Sequence, residues 1–176
     1  MIDLARALRS AGLDVLMWAA SQDQREQIQR AALELAPGEV LASATATGAE
    51  LEDITTVLLL TDEDDFNALA STVLAGNPQT SVYRLAPRHP THGVVAPHTA
   101  SQTLFTPNLT GHDIALRHNS GARITTAADS QVPPGADLLF LITPEGTLHP
   151  ATTSRPPTPQ RGDTLVLLGP GQPGKK

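Results

Sequence analysis

The sequence predicts an α/β fold, a parallel sheet interleaved with helices, followed by a smaller α+β unit. Three observations carry this expectation. Short apolar runs alternate with helix-spaced apolar stripes through the first half, the pattern of strands joined by crossover helices. Of 15 prolines only Pro37 precedes residue 77, so the texture changes abruptly near the middle of the chain. Beyond that point short strand-like runs are joined by turns, without strong helix–strand alternation. The expected division is 1–90 for the first unit and 91–176 for the second.

Met1–Ala11 places Leu4, Ala5 and Leu8 on one helical face, and Gly12 ends that helix. "LDVLMWAA" (Leu13–Ala20) reads as a buried strand. Ser21 with Gln24 three residues on forms a capping-box pattern, and Ile28, Ala31, Ala32 and Leu35 make an inward stripe that Pro37-Gly38 stops. "EVLASAT" (Glu39–Thr45) and "TTVLLLT" (Thr55–Thr61) are the next strands. Phe66, Leu69, Ala70, Val73 and Leu74 then recur at helical spacing, and Gly76–Pro78 closes the helix. "SVYRLAP" (Ser81–Pro87) is a further strand. Strands separated by helices of this length imply parallel pairing with right-handed crossovers.

Arg88–His98 reads as a linker. A short helix is expected over Thr110–His118, with Ile114 inward and Asn119–Gly121 as its stop. "ARITTAA", "LLFLITPEGTLHP" and "DTLVLLG" read as strands, with Thr143–Thr147 as a turn. Ser154–Asp163 is a proline-stiffened loop.

Composition narrows the function. Apolar residues make up 40%, enough for a packed core. A net charge of −6 disfavours nucleic acid and anionic membrane as direct partners. No run approaches the length needed to span a bilayer. The absence of cysteine excludes disulfides, thiolate metal sites and thiol catalysis.

An open nucleotide-binding sheet has its first strand in the middle, followed by a glycine-rich turn into the first helix. Here the sequence opens at that helix, and neither a strand nor G-x-G-x-x-G precedes Ile2. A central gap would leave two flanking strands with unpaired backbone groups. The expectation is a Rossmann-like parallel sheet lacking its first strand, with Met1 opening a fragment of a longer protein or another segment filling the gap.

Three stretches of the first half carry a family resemblance: "ARALRSAGLDVLMWA" (Ala5–Ala19), "ITTVLLLTDEDDFNALAS" (Ile54–Ser71) and "SVYRLAP". In the second, Thr61, Asp64, Asp65 and Asn67 fit T-x-x-D-[DE]-x-N after an apolar strand. "SGARIT" (Ser120–Thr125), "LFLITPEGTLHP" (Leu139–Pro150) and "RGDTLVLLG" (Arg161–Gly169) follow in order. Together they resemble the RCK (regulator of K+ conductance, TrkA-type) cytoplasmic domains, most closely those at the C-terminus of bacterial monovalent cation/proton antiporters of the sodium–hydrogen exchanger type. The resemblance implies a TrkA-N-like unit over 1–90 and a TrkA-C-like RCK C-terminal subdomain over 91–176. It implies a non-catalytic, homodimeric regulatory domain on the cytoplasmic side of the membrane, joined to a transmembrane antiporter domain. The effector would be an ion or a nucleotide such as NAD, ATP, ADP or AMP. Alternatives are a regulatory subunit of a potassium channel or uptake system, and a fragment of a dinucleotide-dependent oxidoreductase.

Candidate effector contacts are Ala20, Ser21, Thr45, Thr61, Asp62, Asp64 and Asp65, all near expected strand ends. Two features run against ordinary NAD binding. The acid that usually holds a ribose hydroxyl is missing after "LDVLMWAAS", and Ala44–Glu50 carries no aspartate. Four consecutive acids, Asp62–Asp65, would repel phosphate. They suit a helix N-terminus, where each contributes roughly 0.3–1 kcal/mol at most, with Thr61 or Asp62 as N-cap. They also suit a ribose hydroxyl or a hard cation. Asn67 is expected to bond back to the loop. The histidines His89, His92, His98, His112 and His118 make no rigid zinc frame but would titrate near neutral pH. Arg84 is expected in a surface ion pair, and Trp18 and Tyr83 in the core.

Overall fold

Apolar residues three and four apart create α1 (Ile2–Ser10), which buries Leu4, Ala5, Ala7 and Leu8. The computed structural model describes residues 1–38, 53–76, 78–87, 102–106, 109–128 and 131–169. Gly12 closes α1 with φ +90°, donating to the Arg9 carbonyl while Leu13 N–H reaches back to Leu8. Such a closure needs a left-handed residue at the bend, and glycine adopts it without steric cost.

The second helix departs from expectation. α2 (Gln22–Arg30) is capped by Ser21, whose hydroxyl accepts from Gln24 N–H at 3.3 Å. It stops at Arg30 and does not run on to Leu35. The same closure seen at Gly12 recurs, with Ala32 N–H on Gln29 and Leu33 N–H on Ile28. Here a non-glycine, Ala32, takes the left-handed bend at φ +54°. Two gains outweigh that strain: Leu33 becomes buried with Ala5 and Ile28, and Glu34–Leu35 is freed to form β2.

β1 (Leu16–Met17) pairs in parallel with β2, and is far shorter than the expected Leu13–Ala20 strand. β3 (Thr56–Leu59) leads through α3 (Asp64–Leu74) to β4 (Ser81–Arg84), again in parallel. β5 (Gln102–Thr103), which sequence patterning did not reveal, joins the other edge of β4 in parallel. The expected strand Glu39–Thr45, the linker Arg88–His98 and the tail 170–176, whose glycines and prolines imply a frayed end, lie outside the described residues.

The second layer is antiparallel. α4 (Gly111–Asn119) precedes β6 (Arg123–Ala127), β7 (Asp137–Ile142), β8 (Leu148–Pro150) and β9 (Thr164–Gly169), in the sheet order β6-β9-β7-β8. β7 and β8 form a hairpin over Thr143–Thr147, with Gly146 at φ +82°. β9 is buried on both faces: Val166 and Leu168 join one cluster, Leu165 and Leu167 another.

One core crosses the chain. Leu4, Ala7 and Leu8 of α1 pack with Leu85, Leu104, Phe105, Leu109, Ile114, Phe140, Val166 and Leu168. The fold is therefore mixed α/β, a parallel layer and an antiparallel sheet, with α1 and β3 contributing to the cluster that the second sheet fills.

Candidate functional site

The carboxyl end of β3 is where sequence reasoning concentrated its candidates. Thr61 follows that strand, and Asn67 lies one turn into α3, only 2% exposed. The two side chains clasp each other's ends of the turn. The Thr61 hydroxyl donates to Asn67 Oδ1 at 2.8 Å, and Asn67 Nδ2 donates to the Thr61 carbonyl at 2.8 Å. Glu63 N–H donates to Thr61 Oγ1 at 3.3 Å. Asn67 thus bonds back to the loop as its position implied.

The N-cap is neither Thr61 nor Asp62. Glu63 occupies it, with no side-chain cap bond. The reason is that the Thr61 hydroxyl is already engaged by Asn67 and by the Glu63 amide, two residues ahead of the helix. Asp64 and Asp65 fill the first turn of α3, where the exposed amides favour negative charge.

Asp62 has a second neighbour that the sequence did not announce. A Cβ on Gly111 would lie 3.0 Å from Asp62 Oδ1 and 3.2 Å from Leu85 Cδ1. The first residue of α4 therefore rests against the residues that follow β3 and β4, and a larger side chain there would press on both of these neighbours. Asp62 thus lies beside the start of α4, while Asp64 and Asp65 lie in the first turn of α3.

α4 is anchored there by its own cap. Asp113 N–H donates to Thr110 Oγ1 at 3.3 Å, and Thr110 N–H donates to Asp113 Oδ2 at 3.0 Å, closing a capping box. The T-x-x-D spacing of Thr110 and Asp113 carries this signal in the sequence. The Thr110 hydroxyl, then the Thr110 amide, holds the Asp113 carboxyl below its ordinary value. Thr110→Ala should cost about 1 kcal/mol at neutral pH. A carboxyl whose folded value is depressed contributes above its unfolded value, about 3.9, and that contribution is lost as pH falls through the lower folded value. Denaturation midpoints measured from pH 7 to pH 2 should show wild type and Thr110→Ala converging at the acid end.

The remaining candidates separate. Ala20 and Ser21 stand together at the end of β1, both exposed, but their polar groups cap α2: Ala20 N–H donates to Gln24 Oε1 at 2.9 Å. Thr45, His89, His92 and His98 lie outside the described residues. His112 is exposed, whereas His118 Nε2 meets Asp3 Oδ2 at 2.8 Å and ties α4 to α1. Arg84 makes no ion pair among the described residues, and its Nε is buried without an acceptor there, as is Trp18 Nε1. Tyr83 packs on the central cluster. Among the described residues no group of three or more His, Asp or Glu could hold a metal ion, and no helix is long and apolar enough to cross a membrane.

Chemically, the β3 end offers carboxylate acceptors and a hydroxyl already paired. That set can accept from hydroxyl donors, and it repels phosphate.

No family model matches the chain, and no curated protein matches it. Among solved structures it is similar to one titled "Crystal Structure of the GsuK RCK domain", at 15% identity and a TM-score of 0.46. The likeness covers 96% of this chain and 42% of that one, so the chain spans less than half of that structure's length.

Proposed function

We propose that this chain is a regulatory module of a monovalent cation/proton antiporter, acting on the cytoplasmic side of the membrane as a homodimer and performing no chemistry of its own. The observation that carries the reading is the contact between the two layers at the strand ends. Asp62 and Leu85 meet the N-terminus of α4 through Gly111, and α1 packs into the cluster filled by the second sheet. An ion or hydroxyl-bearing effector drawn to Thr61, Asp62, Asp64 and Asp65, with Ala20, Ser21 and Thr45 as further candidate contacts, would press on the α4 N-terminus beside Asp62. Effector binding would thereby change how the 91–176 unit sits on the 1–90 unit, and the dimer would pass that change to the transport domain. The RCK-like order of motifs along the chain supports the same reading.

The test is a melting series with NAD, NADH, ATP, ADP, AMP, Na+ and K+, read beside sedimentation velocity. An effector at 100 times its dissociation constant raises stability by about 2.7 kcal/mol, and the sedimentation profile should shift with it. Oxidation of NADH by the chain would sink the regulatory reading. A dimer unmoved by every compound would reduce the module to a scaffold.

A further inference from the structure

The seam between α1 and α4 ends in a contact of two titratable side chains. Asp3, in the first turn of α1, meets Nε2 of His118, in the last turn of α4, at 2.8 Å. Each side chain is 42% exposed, so both stay open to protons from solvent. An ionised carboxylate only accepts, so Nε2 carries the hydrogen of this bond. A further proton then goes to Nδ1, and the same contact changes from a neutral hydrogen bond into an ion pair without a change of partner. Elsewhere the seam is apolar: Leu4, Ala7 and Leu8 of α1 share a cluster with Ile114 of α4 and with Ala122. Those contacts do not respond to pH.

The backbone favours the charged form of the pair at both ends. Asp3 lies where the free amides of α1 stabilise a negative charge, and His118 lies where the last carbonyls of α4 stabilise a positive one. The cations nearby oppose it or are engaged elsewhere. From α1, Arg6 Nη1 lies 3.9 Å from Asp3 Oδ1 and shares that carboxylate. From β6, Arg123 donates to the His118 and Ala122 carbonyls at 3.2 and 2.9 Å. On α4 itself, Arg117 pairs with Asp137 of β7. Among the described residues Asp3 is the acid paired with His118.

We propose that Asp3 and His118 form a proton-responsive latch, which holds α1 and α4 together more tightly once His118 is protonated. An imidazole ordinarily changes charge between pH 5 and 8. The stabilisation from a charged pair is present at the acid end of that window and is lost as pH rises through it. Charge assistance roughly doubles the strength of a hydrogen bond, but solvent screens a pair this exposed. The latch therefore changes the opening of the seam by about threefold, not by orders of magnitude. α4 begins beside Asp62 and ends at Asp3, so the proton acts on the helix whose start adjoins the candidate site. The proposal goes beyond the regulatory reading and stands without it.

The experiment is native-state amide exchange of the full chain at pH 5.5 and pH 8, each rate divided by its intrinsic value at that pH. Amides of α1 and of the last turn of α4 should open about threefold less often at pH 5.5, while those of β7 and β9 hold their ratio. His118→Gln keeps a donor for Asp3 but takes up no proton, and Asp3→Asn keeps the imidazole but removes the charge it meets. Both variants should lose the pH response. They also separate His118 from the other histidines of the chain, which titrate in the same window. A wild-type chain without the response overturns the proposal. So does a response that survives in either variant, or one spread equally over β7 and β9.

Discussion

Phe140→Ala removes about 3–5 kcal/mol of stability and unfolds the parallel and antiparallel layers in a single transition. Phe140 is fully buried on β7, and its ring meets Phe105 edge-on, with centroids 5.5 Å apart and planes at 89°. Truncating it empties a ring-sized volume in the one cluster to which α1, β3, α4, β7 and β9 all contribute. The surroundings have little freedom to collapse into that space. Phe105 sits at φ +62°, a strained value for a bulky side chain, and is fixed by its N–H on the Ala151 carbonyl at 2.6 Å and by the Thr153 hydroxyl on its own carbonyl at 3.1 Å. The measurement is urea unfolding followed by Trp18 emission and by far-ultraviolet ellipticity. Trp18 belongs to the parallel layer, whereas the ellipticity sums the helices and strands of both layers. Coincident midpoints, both lowered, are expected from a shared core. A Trp18 midpoint that stays at the wild-type value would show that the layers hold separate cores.

The same cluster explains what was legible in the sequence and what was not. Helix α1, the β3–α3 unit and the run of strands from Arg123 onward could be read because each carries its own periodicity and punctuation. β1 and β2 were misjudged for one reason. Their limits are set by pairing with each other, and "ALEL" continues a helical stripe until Ala32 takes a bend that normally calls for glycine. β5 has two paired residues and no apolar run, so nothing local marks it; only the open edge of β4 creates it. At the site, Thr61 and Asn67 were legible as a spacing, because six residues bring a strand end and the first helical turn together. The Asp62–Gly111 approach was not, since it joins residues far apart in the chain whose sequence contexts, an acidic run and a glycine before a helix, each have a sufficient local explanation.

Asn67→Ala is the expected second-largest loss, about 1–3 kcal/mol. Both hydrogen bonds of the clasp vanish together, and the Thr61 carbonyl loses the side-chain donor that held it. Thr61→Val removes only one of the two bonds directly, so the pair should couple in a double-mutant cycle, the double variant losing less than the sum. Asn67→Asp separates shape from hydrogen bonding. It keeps an acceptor for the Thr61 hydroxyl but turns an oxygen toward the Thr61 carbonyl, at a position only 2% exposed and next to Asp64 and Asp65. Burial and neighbouring carboxylates raise the folded value of such an acid above its unfolded one. Its penalty is then absent below the unfolded value and grows as pH rises toward the folded value. Denaturation midpoints for Asn67→Asp should approach wild type near pH 4 and fall away by pH 7, whereas Asn67→Ala should show a constant deficit across that range. A constant deficit for Asn67→Asp as well would mean that the turn opens to water when the clasp is broken.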